Sequence, residues 1–549
     1  MNRFAALLDA IAFESARNGK LRLIADYFAH TPDPDRGYAL AAMSGALSFA
    51  NAKPALICSL ISERTDPVLF ALSYDYVGDL SETVALLWPA TFVPGIAQPS
   101  LAEVIHALGY SGKMQLPSVL SDFLDRLDEQ GRWALLKLIT GSLRIGVSAR
   151  LAKTALAMNG NRDVNEIEEI WHGLSPPYED LFAWIEGRAE RPAISAFAPF
   201  RPVMLSHAIE EREFQTLTPQ DFRAEWKWDG VRVQAAAGTG HDGQRAARLY
   251  SRTGEDISAA FPEIAETMRE ARFGDCAIDG ELLILRQGVV ESFATLQQRL
   301  NRKSVTAKLI AEFPAHIRAY DLLAWNGEDL RALPFLQRRE QLARLIETLQ
   351  PSCFDLSPLI PFQTWDQLAA ARATPAEFGA QGNAQAIEGV MIKRADSPYL
   401  PGRPKGHWYK WKRDPFTVDA VLMYAQRGHG KRSSFYSDFT FGVWRASDGQ
   451  DELVPVGKAY FGFTDDELKR LDKFVRENTT NRFGPVREVV HGKSQGLVLE
   501  IAFEGLQHSL RHKSGLAMRF PRISRIRWDK PAGEADRIES LGALIGTRK

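Results

Sequence analysis

Apolar residues recur every three to four positions through the first third of the chain. Residues 21–28 and 133–139 show this spacing most clearly, and both predict amphipathic helices. Breakers such as Thr31-Pro32-Asp33-Pro34 separate such runs. The opening Met1-Asn2-Arg3-Phe4-Ala5-Ala6-Leu7-Leu8 lacks a long apolar core followed by a small-residue cleavage site, so an amphipathic helix and no signal peptide are expected there. A proline-rich stretch over residues 191–202 ends this region. Beyond it the period changes. Residues 231–235 and 277–285 predict strands bounded by turns, and residues 338–346 predict an intervening helix. A second boundary falls at Arg413-Asp414-Pro415. After it, residues 439–444 and 497–503 predict the short strands of a small barrel. The pattern gives three parts: residues 1–195 all-α, 196–412 α+β, and 413–549 a β-barrel.

Composition changes this picture little. A chain of 549 residues is too long for one core, and 45% hydrophobic with 25% charged residues describes an ordinary globular protein. Cys58, Cys276 and Cys353 are far apart, so neither zinc nor a disulfide framework is expected, and a reducing cytoplasm suits them. No apolar run approaches ~18 residues, so no membrane span is expected. The net charge of −1 does not announce a nucleic-acid binder. Its distribution does more. Residues 413–549 hold 23 Lys/Arg against 18 Asp/Glu, and residues 511–530 hold seven against Asp529 alone. In that run the cations alternate with Leu516, Met518, Phe520, Ile523 and Ile526, which predicts a folded, phosphate-facing surface.

The candidate chemistry starts at Glu225-Trp226-Lys227-Trp228-Asp229-Gly230-Val231-Arg232. Apolar neighbours are expected to lower the pKa of the Lys227 ammonium and free its lone pair for attack. Asp229-Gly230 is expected to turn the backbone tightly. Glu225 and Lys227 are two apart, so a strand would point both to one face. Downstream stand Ser251-Arg252-Thr253-Gly254-Glu255-Asp256, Ala277-Ile278-Asp279-Gly280-Glu281-Leu282, Tyr320-Asp321-Leu322-Leu323, Glu388-Gly389-Val390-Met391-Ile392-Lys393, Trp408-Tyr409-Lys410-Trp411-Lys412 and Arg527-Trp528-Asp529-Lys530. In order and spacing these resemble the nucleotidyltransferase motifs of the ATP-dependent DNA ligases. Gly141-Ser142-Leu143-Arg144-Ile145-Gly146-Val147-Ser148 is similar to a signature of the helical DNA-binding domain of that family.

The resemblance implies a three-domain ligase: a helical DNA-binding domain, an ATP-grasp-like adenylation domain of nucleotidyltransferase type, and an OB-fold. It implies sealing of nicks in duplex DNA, in repair, replication or recombination, through a lysyl-AMP on Lys227 and an adenylated 5′-phosphate. In the family Glu225 accepts from the adenine amino group, and Arg232 meets ribose or phosphate. Arg252 lies near nucleotide and nick, Glu281 binds ribose or metal, and Tyr320, in place of the usual phenylalanine, stacks on adenine. A carboxylate such as Glu388 facing phosphates calls for a cation between them, and Mg²⁺, or Mn²⁺ in its stead, suits one or two carboxylates plus phosphates. Lys410 and Lys412 share a strand face and call for an anion between them, the α-phosphate. Trp411 is expected to pack inward. Trp408-Tyr409 reads as core or as a stacking pair. Arg527 and Lys530 are expected on the β,γ-phosphates during lysine adenylation, after a domain rotation about a hinge near Arg413-Asp414. Arg144, Arg150 and Lys153 in the helical region, and Lys431 and Arg432 at a hairpin tip, are candidate DNA contacts in a monomer that encircles its duplex. An RNA ligase or mRNA capping guanylyltransferase shares the core motifs, but is not expected to carry the helical region. An inactive DNA clamp has no need of Lys227, Glu388, Lys410 and Lys412 together. The expected setting is a prokaryotic cytoplasm, at the nucleoid.

Overall fold

The computed structural model describes residues 1–544 apart from 78, 90–96, 142, 193–196, 241–242, 301, 303, 428–434, 448–449, 484–485 and 510–512. The chain divides into two compact units. One joins both ends of the sequence, Met1–Arg162 and Ser175–Arg191 with Pro415–Ile545; the other is chiefly Asp163–Leu174 with Pro192–Asp414. The short segment Asp163–Leu174 groups with the middle of the chain for local reasons. The His172 ring packs edge-on against Tyr250 at 5.7 Å, and Glu169 pairs with Arg331 at 3.4 Å.

The first helical pattern lies in the helix Arg17–His30, which buries Leu21, Ile24, Ala25, Tyr27 and Phe28. The second lies in Glu129–Thr140. Asp128 caps its start by accepting from the Gly131 amide, and Gly141 ends it at φ 70°. Ser148 then caps Ala149–Asn159, its side chain accepting from the Leu151 amide. Among the described residues no helix is long and apolar enough to cross a membrane.

The middle unit is built on two sheets. One runs Arg245–Ser251, Val231–Thr239, Cys276–Arg286, Ala315–Trp325, Glu328–Asp329. The other runs His207–Ala208, Trp408–Lys412, Ile387–Arg394, Phe222–Trp228, Leu359–Ile360. The strands Phe222–Trp228 and Val231–Thr239 belong to different sheets, so Asp229-Gly230 is a corner between sheets and not a hairpin turn. Only glycine fits there: a Cβ on Gly230 would lie 2.5 Å from the Leu282 carbonyl oxygen and 2.8 Å from Glu281 Cγ. Each sheet has its own apolar core, one around Leu249, Ile278, Ile317 and Leu342, the other around Ala224, Trp226, Val390 and Ile392. The expected helix over 338–346 lies within Phe335–Leu349.

In the C-terminal region the expected strands appear as Tyr436–Ser447 and Val498–Phe503. They flank Phe416–Arg427 in a curled sheet whose core includes Val418, Leu422, Phe441, Leu499 and Ile501. The basic run is folded as its alternation requires. Leu516, Ile523 and Ile526 are buried, while Phe520 is exposed at φ 51° between the strands Leu516–Arg519 and Arg522–Arg527.

Candidate active site

Three antiparallel strands carry the reactive side chains. Phe222–Trp228 pairs with Ile387–Arg394, which pairs with Trp408–Lys412. Register sets Glu225 opposite Met391 and Met391 opposite Lys410, and sets Lys227 opposite Gly389 and Gly389 opposite Lys412. Residues directly opposite in adjacent strands share a face, and so do residues two apart in one strand. Glu225, Lys227, Met391, Lys410 and Lys412 therefore stand on one face. The register against Phe222–Trp228 shifts between Ile387 and Gly389. A shift of this kind re-aims a side chain, and the residue inside it is Glu388. Its carboxylate accepts from Lys227 Nζ, and Lys412 Nζ lies 3.9 Å away.

This pairing corrects one sequence expectation. Burial does push the Lys227 ammonium toward lower pKa, but the carboxylates of Glu388, Glu281 and Asp229 outweigh it and hold the pKa above its ordinary value. The aromatic neighbours are not the dominant influence; the acidic groups are. Glu281 shows the converse. Burial, opposed by Lys227 and Arg232 and reinforced by Glu388 and Asp229, pushes its carboxyl up to about 7. A carboxyl this reluctant to ionise, beside a second acidic group, suits a hard divalent cation with oxygen ligands. Among the described residues no three His, Cys, Asp or Glu side chains gather into a cage. A cation held by Glu281 and Glu388 would complete its shell with phosphate and water.

The second sheet contributes the remaining polar groups. Arg232 is opposite Glu281, and Glu281 is opposite Arg318. Arg232 donates to Asp279 at 2.6 Å, to the Tyr399 hydroxyl at 2.9 Å and to the Met204 carbonyl at 2.5 Å. Among the described residues its buried Nε has no hydrogen-bond partner. The Tyr320 ring has two cations against it, Arg232 at 5.9 Å from the centroid and Lys393 at 4.3 Å. Glu225 is 2% exposed and doubly paired, with Arg339 and with Lys393, each at 2.6 Å. A carboxylate has about four lone-pair sites, so it can still accept one more donor.

Cations dominate what remains. Burial lowers the Lys410 pKa, and Arg403, Lys412, Lys227 and Arg252 lower it further. Arg252 follows the strand Arg245–Ser251; its surface is open to solvent, but partial desolvation of its guanidinium and then Arg232 and Arg403 lower its pKa. Several positive groups facing one another in a partly buried place are stabilised by a multiply charged anion. Trp408 and Tyr409 are core residues, 1% and 4% exposed. Trp411 is half-buried against Phe214, with Arg372 over its ring at 4.6 Å.

Sequence reasoning missed Met391, Arg403, Arg339 and Lys393 as parts of this site. Lys393 follows from alternation, since it is two beyond Met391 on the same strand. Arg403 lies in a loop with no periodicity, and Arg339 on a helix far along the chain. Arg527 and Lys530 belong to the other unit, where both pair with Asp419, at 3.2 and 2.7 Å. Of the candidate DNA contacts, Arg144 is exposed in the loop before Ala149–Asn159, at φ 49°, and Arg150 is half-buried in that helix. Lys153 is 4% exposed, a placement that does not favour the expected phosphate contact. It is on the inward side of the helix, with Ala152 and Leu156. Lys431 and Arg432 lie outside the described residues. Cys58, Cys276 and Cys353 are unpaired thiols.

The family model described as ATP dependent DNA ligase domain matches residues 203–412, and that described as ATP dependent DNA ligase C terminal region matches residues 432–530. A probable DNA ligase of Koribacter versatilis is 29% identical, over 98% of this chain and 95% of its own length. A probable DNA ligase of Anaeromyxobacter dehalogenans is 32% identical, over 78% of this chain and 80% of its own length. Among solved structures, one named Pmar-Lig_PreS3 is similar with a TM-score of 0.56 and 15% identity, over 95% of this chain and 99% of that one, a likeness of fold.

Proposed function

We propose a division of labour among these residues from one premise: the chain belongs to the ATP-dependent DNA ligase family and seals nicks in DNA with ATP. Lys227 is the nucleophile. Its Nζ, once deprotonated, attacks the α-phosphorus of ATP. An N–P bond forms, the bond from the α-phosphorus to the bridging oxygen breaks, and pyrophosphate leaves. The 5′-phosphate of the nick then attacks the same phosphorus and displaces the lysine. Finally the 3′-hydroxyl attacks the DNA phosphate, and AMP departs. Every step is a phosphoryl or nucleotidyl transfer, governed by positioning and charge neutralisation.

The observation that carries this reading is the shared face of Lys227, Lys410 and Lys412, with Glu388 re-aimed into it by the register shift. Lys410 and Lys412 flank the α-phosphate. Arg252 and Arg403 extend the same positive surface, and Tyr320 offers its ring to adenine. Glu225, fixed by Arg339 and Lys393, accepts from the adenine amino group. Arg232 holds the wall of the site through Asp279 and Tyr399 and, as in the family, meets ribose or phosphate. Glu281 and Glu388 are the residues that would hold Mg²⁺ or Mn²⁺, which on binding would neutralise phosphate charge. Before nucleotide arrives, Glu388 holds the Lys227 ammonium in the attacking position.

The domains follow from the same reading: residues 1–195 bind DNA, 196–412 transfer the nucleotide, and 413–549 form an OB-fold. Arg527 and Lys530 engage the β,γ-phosphates during lysine adenylation only. Nicked duplex DNA is the partner, Arg144 and Arg150 contribute phosphate contacts, and the enzyme works as a monomer closed around the duplex.

The test follows the phosphoamide. Lys227→Ala should form no AMP-labelled protein from labelled ATP and should seal no unadenylated nick, yet retain part of its activity on a pre-adenylated one. Labelling of Lys227→Ala at the wild-type level would overturn the assignment.

A further inference from the structure

We propose that Asp419 is a positioning residue for lysine adenylation, spacing Arg527 and Lys530 as a two-cation clamp for the departing pyrophosphate. The inference rests on the reading that Arg527 and Lys530 engage the β,γ-phosphates.

Asp419 stands in the strand Phe416–Arg427, outside every motif. Its Oδ2 accepts from Lys530 Nζ at 2.7 Å and from Arg527 Nη1 at 3.2 Å. Its Oδ1 is buried and has no hydrogen-bond partner among the described residues. The strand holds the carboxylate firmly. The Asp419 amide donates to Asp536 Oδ2 at 2.8 Å, and the Asp536 amide donates to the Asp419 carbonyl at 2.8 Å. Sheet register brings the cations there: Asp419 is opposite Glu500, Glu500 is opposite Arg525, and Arg527 is two residues further along the same face.

Two cations converge on one oxygen of one carboxylate. Without it they would repel and spread, and each would have to be ordered again when an anion arrived. The clamp is not saturated. An ammonium has three donors and a guanidinium five, while Asp419 and Asp529 occupy only some of them. The Arg527 and Lys530 side chains are each 21% exposed, so the remaining donors can reach a phosphate. A single Asp419 oxygen bonds both cations, and this sets their spacing.

The full-length protein tests this with two assays: AMP-labelling against ATP concentration, and sealing of a pre-adenylated nick. Asp419→Asn should raise the half-saturating ATP concentration for labelling about tenfold, the loss of one charge-assisted contact, with sealing of the pre-adenylated nick within about twofold. Arg527→Ala and Lys530→Ala run beside it. If they slow labelling while Asp419→Asn labels with wild-type ATP dependence, the role of Asp419 is overturned and the reading of the two cations stands. Equal loss by Asp419→Asn in both assays makes the residue part of the barrel framework and also overturns the role. If Arg527→Ala and Lys530→Ala label normally, the pyrophosphate reading itself fails.

Discussion

A methyl group at Gly389 would sit 2.2 Å from the Trp411 carbonyl oxygen and 2.7 Å from Lys412 Cα. The residue also has φ 150°, which side chains rarely adopt. Gly389→Ala must therefore push the strand Ile387–Arg394 away from Trp408–Lys412, which carries Lys412. It should lower unfolding stability by about 2–4 kcal/mol and greatly reduce AMP-labelling, read by denaturant titration and gel. Glu225 gives a second prediction at this scale. It lies between two buried cations, Arg339 and Lys393. Glu225→Gln removes the carboxylate charge the two cations share and should cost about 3–5 kcal/mol in the same titration. A loss under ~1 kcal/mol would show that the trio is not cooperative. Burial already holds the Lys393 ammonium below its ordinary pKa, against the pull of Glu225 and Asp321. Above that lowered value the unfolded chain binds more protons than the folded one, so stability rises with pH up to the ordinary lysine range. In Glu225→Gln the rise should begin at lower pH. Glu225, Lys227, Lys410 and Lys412 are legible in the sequence because strand alternation is a two-residue rule that needs no partner, whereas Glu388, inside a register shift, is legible only through the motif it opens. Arg339 is not, since it reaches Glu225 across 114 residues. Nor is the raised pKa of Lys227, which depends on carboxylates from two other strands.

At the scale of elements, strands and helices are readable and sheet membership is not. Alternation identifies the strands containing 231–235 and 277–285, but nothing local says that Phe222–Trp228 joins a different sheet from Val231–Thr239. That choice is made by burial against separate cores. The end of Trp408–Lys412 illustrates another long-range device. Arg372, on the helix Trp365–Ala373, donates to the Lys412 carbonyl at 2.5 Å and to both oxygens of Asp414 at 3.1 Å. Arg413 in turn donates to the carbonyls of Arg372, Ala373 and Ala384, at 3.2, 3.0 and 3.3 Å. These bonds fasten the chain up to Asp414, beside the division between the two units at Pro415. Arg372→Ala should cost about 1–3 kcal/mol and slow AMP-labelling, because the strand holding Lys412 loses its anchor. Unchanged labelling kinetics would show that the clasp serves stability alone.

For the whole molecule, the net charge of −1 hides a basic C-terminal region. Each phosphate neutralised contributes roughly −0.9 to the slope of log affinity against log salt. Lys431→Ala with Arg432→Ala should flatten that slope for nicked DNA by about one to two units and leave AMP-labelling nearly intact. An unchanged slope would remove this pair from the DNA surface. Arg144→Ala should act in the same direction by about one unit, while Lys153→Ala, with its buried side chain, should act through stability instead.

The sheet that carries Lys227 is gathered from strands between His207 and Lys412. During synthesis Lys227 emerges long before Trp408–Lys412, and Phe222–Trp228 reaches that strand only through Ile387–Arg394. Pairings so distant in sequence form slowly and late. A nascent chain therefore holds its lysine on an incomplete sheet, lacking the two ammoniums that would bind the α-phosphate. Ribosome-stalled chains ending before Trp408 should take no label from ATP, and chains extended through the barrel should take it. On the proposed roles of Lys227, Lys410 and Lys412, a chain without its last active-site strand takes no nucleotide.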